Sequence, residues 1–197
     1  MKILINEKQL KNIVKENISR IRVLMEGDKS DVYYHGTSNQ DFNEDDLRPN
    51  ERGLIFFTKH KEIAYRYAMD FNHLEYSEPD YNNVRILSYR LNVKNTFDPE
   101  QYDEDPEYIE LVATKGDFSY VQLERGQIRD YDEAASEALY DCDWSVLESK
   151  PFIDELKARG FDSIYIDNSP HYKMNYRDQI FTGKDIAIFY PELATPA

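Results

Sequence analysis

At 197 residues, with 41% hydrophobic and 14% aromatic content, the chain is long enough to bury the core of one domain and too apolar for intrinsic disorder. A formal net charge of -14 opposes DNA or RNA as a partner, because that affinity comes mainly from Lys and Arg neutralising phosphates. One cysteine, Cys142, excludes an internal disulfide framework, and no apolar run reaches the length of a membrane span or follows the pattern of a secretory leader, so a soluble, unsecreted chain is expected.

Residues 1–26 differ from the rest in carrying six Lys or Arg against three Glu. Leu10, Ile13, Val14, Ile18, Ile21, Leu24 and Met25 recur at three-and-four spacing, which predicts an amphipathic helix. Asn6 supplies a cap with Gln9 three residues on, and Ile5 can staple onto Leu10. Read from the residues alone, such a helix packs on its own domain or dimerises. Its end, Leu24-Met25-Glu26-Gly27, resembles the site cut by the prohead protease of T4-like phages. That resemblance implies a capsid-targeting propeptide over 1–26, removed after Glu26, that meets a phage head scaffold or prohead protease. The main domain then spans 27–197.

The 16 tyrosines and 10 phenylalanines favour sheet, because aromatic rings fit a pleated, half-buried surface. After a polar link, Val32 to Tyr34 opens a strand that ends in His35-Gly36-Thr37. Leu54 to Phe57 is a second strand, bounded by Gly53 and Thr58. Thr58 is positioned to cap a following helix whose buried stripe is Ile63, Ala64, Tyr67 and Ala68. Val84 to Val93 alternates as a strand. Seven acids between Asp98 and Glu110 and six between Asp130 and Asp143 read as solvated loop or helix faces, or as a lure for a basic partner. Pro151 to Arg159 is a short helix stopped by Gly160, and Phe161 to Ile166 and Asp185 to Tyr190 are the last strands. Strands scattered among helices without regular alternation indicate an α+β fold.

Several chemistries lack their residues. The four histidines show no metal spacing, so no metal is expected. There is no Gly-rich phosphate loop among only seven glycines and no G-x-S-x-G elbow. Cys142 lies among acids that disfavour its thiolate. What does converge, over residues 33–68, is an imidazole, exposed glycine backbone, a hydroxyl and an aromatic face on adjoining elements, a set that suits a planar ligand with polar edges.

His35-Gly36-Thr37, then Ile55-Phe56-Phe57-Thr58, then Ala64-Tyr65-Arg66-Tyr67-Ala68 resemble the first signature blocks of the ADP-ribosyltransferases of the His-Tyr-Glu class, the class of diphtheria toxin and the poly(ADP-ribose) polymerases. Leu91-Asn92-Val93-Lys94-Asn95, Gly160-Phe161-Asp162 and the stretch Asp185 to Pro191 fit further blocks, so the likeness covers about residues 31–192. It implies a core of two packed, mainly antiparallel β-sheets with peripheral helices, preceded here by the amphipathic N-terminal helix.

The resemblance also implies roles. His35 would bond a ribose hydroxyl of NAD and the Gly36 backbone the nicotinamide carboxamide, while Tyr67 stacks on the nicotinamide ring and Phe56 closes its other side. Ala64 stands where some branches carry a serine, and Thr37 or Thr58 would replace that contact. Asp185, with Gln179 as the alternative, stands where the family has its glutamate, one methylene shorter. Arg52, Lys59, Lys61 and Arg66 would supply cations to the pyrophosphate. The implied activity is mono-ADP-ribosyl transfer from NAD to a host protein, with no metal, carried out in the host cytoplasm after packaging in and injection from a virion. An NAD glycohydrolase and a catalytically silent acidic binding module are the alternatives.

Overall fold

The computed structural model describes residues 32–39, 41–68, 84–167 and 184–197, all within one compact unit, Val32–Ala197. The amphipathic stretch 1–26, the motif at 24–27 and Gln179 lie outside the described residues. Among those described, strands β1 (Val32–Thr37), β3 (Arg85–Leu91) and β7 (Ala194–Pro196) form an antiparallel sheet in the order β1-β3-β7. Strands β2 (Ile55–Phe57), β4 (Thr96–Phe97), β5 (Ser163–Asp167) and β6 (Lys184–Ile188) form a second sheet in the order β2-β6-β5-β4, parallel only between β4 and β5. The helices are α1 (Lys61–Ala68), α2 (Pro106–Lys115), α3 (Ser119–Arg125), α4 (Tyr131–Tyr140), α5 (Trp144–Leu147) and α6 (Lys150–Ala158). The class is α+β, with two mainly antiparallel sheets.

Both faces of β6 are buried, which is why D-I-A-I-F reads as a continuous apolar run and not as an alternation. Ile186 and Ile188 enter a core between the sheets with Ile55, Phe57, Tyr89 and Leu47. Ala187 and Phe189 enter a larger core with Leu54, Phe97 and Ile164, covered by Val112, Leu139, Leu147, Phe152, Ile153 and Leu156 of the helices. Each such large side chain taken fully out of water contributes roughly 1.5–3 kcal/mol, so these two clusters fix the packing of the layers.

The acidic runs do more than face solvent. Asp105, Asp130 and Asp143 cap α2, α4 and α5, accepting from the backbone N–H of Glu107 (2.9 Å), Asp132 (3.0 Å) and Ser145 (2.9 Å). The helices they start bury Leu111, Val112, Ala135, Ala138 and Leu139, core that the charge runs conceal in the sequence. Ser149 caps α6, and Gly160 stops it with φ of +88°, a conformation that costs glycine little.

Two stretches far apart in sequence lock together at the second sheet's edge. The Asp162 carboxylate accepts from the backbone N–H of Lys94 (2.7 Å) and Asn95 (3.2 Å), and the Asn95 side chain donates to the Gly160 carbonyl at 3.0 Å. The turn after β3 is thereby pinned to the start of β5.

Helix α1 packs on β1 and β3 through Ile63, Ala64 and Ala68, all buried. Two expectations about it are corrected. Thr58 does not cap it: the helix begins at Lys61, the His60 carbonyl accepts from Ile63 and Ala64, and the Thr58 hydroxyl instead accepts from the His60 N–H at 3.1 Å, a hydroxyl turn. Tyr67 is not in the buried stripe, being 38% exposed.

Gly36 is what lets α1 lie this close. A Cβ there would fall 1.8 Å from the Ala64 carbonyl oxygen, and helix backbone cannot yield as a side-chain tip can. Gly36→Ala should therefore push α1 off β1 and cost about 3 kcal/mol or more, read as a lowered urea midpoint at unchanged m-value. A loss under about 1 kcal/mol would show that the contact is not tight in solution.

Candidate active site

Among the described residues, the two sheets meet at a single bridge. Tyr34 and Thr58 exchange both backbone hydrogen bonds, Tyr34 N–H to the Thr58 carbonyl at 2.7 Å and Thr58 N–H to the Tyr34 carbonyl at 3.0 Å. In an antiparallel ladder the next bonded pair would be Gly36 with Phe56. The ladder stops short of it. The Phe56 carbonyl accepts instead from His35 Nδ1 at 2.9 Å, and the strands part. By strand alternation Gly36 turns its N–H and C=O toward this parting, the same side as Tyr34.

A carbonyl can only accept, so the proton of the His35 ring sits on Nδ1 and Nε2 carries the lone pair. Burial holds the His35 pKa below its usual value, against the smaller upward pull of the Phe56 carbonyl, so the ring is neutral at pH 7. Its ring lies 5.6 Å, centroid to centroid, from both Phe42 and Phe57. His35 is thus a fixed hydrogen-bond acceptor at the seam.

Asp185 is the second residue of β6 and is 3% exposed. It accepts a hydrogen bond from the Tyr67 hydroxyl at 2.9 Å, so two of the sequence-selected residues, 118 apart in the chain, meet directly. Tyr67 departs from the apolar stripe of α1 because its hydroxyl is drawn to this carboxylate. A buried carboxylate without donors would be costly, and the phenol provides one.

The pairings also separate residues that the sequence groups. His35 shares a face with Phe57, Ile186 and Tyr165, toward the core between the sheets, whereas Asp185 shares one with Thr58 and Ile166, toward the helices. His35 and the Tyr67–Asp185 pair therefore lie on opposite faces of the seam.

The remaining candidates have other local duties. The Thr37 hydroxyl accepts from the Asn39 N–H at 3.2 Å, and Phe56 packs against the helix-covered core. Arg52 is ion-paired with Glu148, tying the loop before β2 to the end of α5; burial pushes the Glu148 carboxyl up, and Arg52 pulls it part of the way back. Lys59 lies over the Tyr33 ring at 5.4 Å, and Lys61 is exposed at the start of α1. The side chain of Arg66 lies outside the description.

Sequence reasoning missed Lys184, next to Asp185. Its ammonium bonds Asp98 and, at 2.7 Å, Glu100, fixing the start of β6 to the turn after β4. Burial pulls Lys184 down, but the two carboxylates outweigh it and raise its pKa above the usual lysine value. No spacing rule pairs residues 84 to 86 apart, although the acid run containing Asp98 and Glu100 held the signal. Among the described residues, no group of three His, Cys, Asp or Glu is arranged to hold a metal ion, and no helix is long and apolar enough to cross a membrane.

Comparison of the chain with protein-family models, with curated proteins and with solved structures finds no match.

A histidine whose folded pKa is depressed stabilises the fold above its unfolded value and loses that contribution as pH falls through the folded value. Stability to urea should therefore drop below about pH 6.5, the ordinary histidine value. His35→Gln, which keeps an N–H for the Phe56 carbonyl, should flatten that part of the profile. Equal slopes in the two proteins would place the titrating group elsewhere.

Proposed function

We propose that the protein is a mono-ADP-ribosyltransferase that transfers ADP-ribose from NAD to a host protein and releases nicotinamide. The observation that carries the reading is the Tyr67–Asp185 hydrogen bond. Residues selected for different roles in one reaction, on α1 and β6, are in contact around a buried carboxylate. The seam supports it with an acceptor, Nε2 of the neutral His35, suited to a ribose hydroxyl.

In this reaction the bond between the ribose anomeric carbon and the nicotinamide nitrogen breaks, and nicotinamide leaves with the electron pair. Positive charge then grows on the ribose. A carboxylate held away from water stabilises that charge more than one in solvent does, because the surrounding dielectric is low. Asp185 is shorter than a glutamate, and the donor from Tyr67 orients it. The acceptor side chain then bonds to the anomeric carbon and gives up its proton. As a fold-level consideration, packaging in a phage head through residues 1–26 is part of the same proposal and rests on the Leu24-Met25-Glu26-Gly27 resemblance.

A second reading, a catalytically silent acidic binding module, is favoured by the division of His35 from Tyr67 and Asp185 across the seam and by the engagement of Arg52 with Glu148. Labelled NAD with a bacterial lysate separates the two. The transferase reading expects label on protein, lost by about 100-fold or more in Asp185→Asn, which retains shape and an acceptor for Tyr67. Free nicotinamide without labelled protein would indicate glycohydrolysis. No turnover of NAD, or turnover unchanged in Asp185→Asn, would overturn the assignment.

A further inference from the structure

The Tyr89 hydroxyl is a buried side-chain polar atom with no hydrogen-bond partner among the protein's described residues, in a residue 1% exposed. An orphaned buried donor costs stability, and it persists in folded proteins where something else requires it. The surroundings of Tyr89 indicate what that is. In the β1–β3 ladder Tyr33 pairs with Tyr89 and His35 with Leu87, so Tyr89 and His35 are diagonal neighbours on one face. Both rings lie against Phe57, at 5.4 Å and 5.6 Å. Burial and the nearby Glu44 carboxylate push the Tyr89 pKa up to about 12, the Arg85 guanidinium opposing them, so the phenol remains a donor throughout the physiological range.

On the face between the sheets a fixed acceptor, His35 Nε2, and an unsatisfied donor, the Tyr89 hydroxyl, thus belong to diagonal neighbours whose rings both lie against Phe57. A vicinal diol answers both, one hydroxyl donating to the imidazole and the other accepting from the phenol. We propose that Tyr89 is a binding residue for a ribose diol of the dinucleotide, that of the ribose lying on the face away from Asp185, acting together with His35 and conferring preference for ribose over a sugar lacking one of the two hydroxyls. This rests on the transferase reading for the identity of the ligand. The Phe42 ring lies 5.6 Å from that of His35, tilted by 36°, and its carbonyl accepts a hydrogen bond from Arg85; with Tyr89 1% exposed, binding of the diol requires the packing around the pair to open.

Tyr89→Phe tests the assignment, because it removes only the hydroxyl and relieves an unsatisfied group. Its melting temperature should rise by about 2–4 °C. Its affinity for NAD and for ADP-ribose, measured by isothermal titration, should fall by about 5- to 10-fold, and 2′-deoxy and 3′-deoxy analogues should lose their disadvantage relative to the parent protein's profile. Binding by the parent protein that is unchanged in Tyr89→Phe overturns this inference and leaves the transferase reading standing. No binding of NAD or ADP-ribose to the parent protein overturns both.

Discussion

The two hydrogen bonds between Tyr34 and Thr58 make one surface out of two sheets, and the rest of the site follows from where they stop. Had the ladder continued, Gly36 and Phe56 would have bonded each other and the seam would have closed. The His35 imidazole takes the Phe56 carbonyl instead. This satisfies a partly buried backbone acceptor, fixes the tautomer of the ring, and leaves the backbone of Gly36 outside the pairing with β2. A structural demand, that buried carbonyls be paired, and a functional one, that an imidazole present a lone pair, are met by one contact.

Around that seam the packing is asymmetric. On one side lies the smaller core between the sheets, lined with aromatic rings and holding the unpaired Tyr89 hydroxyl. On the other the helices bury Ala187, Phe189 and Ile166 and leave Asp185 at the margin, where Tyr67 can reach it. The helix that carries Tyr67, α1, approaches Gly36 so closely that a Cβ there would meet the Ala64 carbonyl. The lysine beside Asp185 is pinned by two carboxylates, which keeps the start of β6 in place.

The parts of the fold that were legible in the sequence are those with strong local grammar. Strand β1 with its His-Gly-Thr end, strand β3, helix α6 with its proline and stopping glycine, and the apolar run of β6 all stand close to their expected bounds. Helices α2 and α4 were hidden by their own caps: Asp105 and Asp130 merge into acid runs that look like solvated surface. At the site, residue types were legible and directions were not. Tyr67 fits the apolar periodicity of α1, yet a carboxylate 118 residues away draws it out of the stripe. Arg52 reads as a cation near a ligand, but Glu148, buried 96 residues downstream, engages it. Which face of a strand His35 occupies depends on pairings across three other strands, information that no local pattern contains.

The central claim is that the Tyr67–Asp185 contact is part of a reaction as well as part of a fold, and a double-mutant cycle of Tyr67→Phe and Asp185→Asn tests it most directly. The cycle is read twice, once in urea stability and once in the rate of nicotinamide release from NAD. The account predicts coupling in both, with the double variant losing less rate than the two single losses combined would give. Coupling in stability alone, with no nicotinamide release from any of the four proteins, would contradict it.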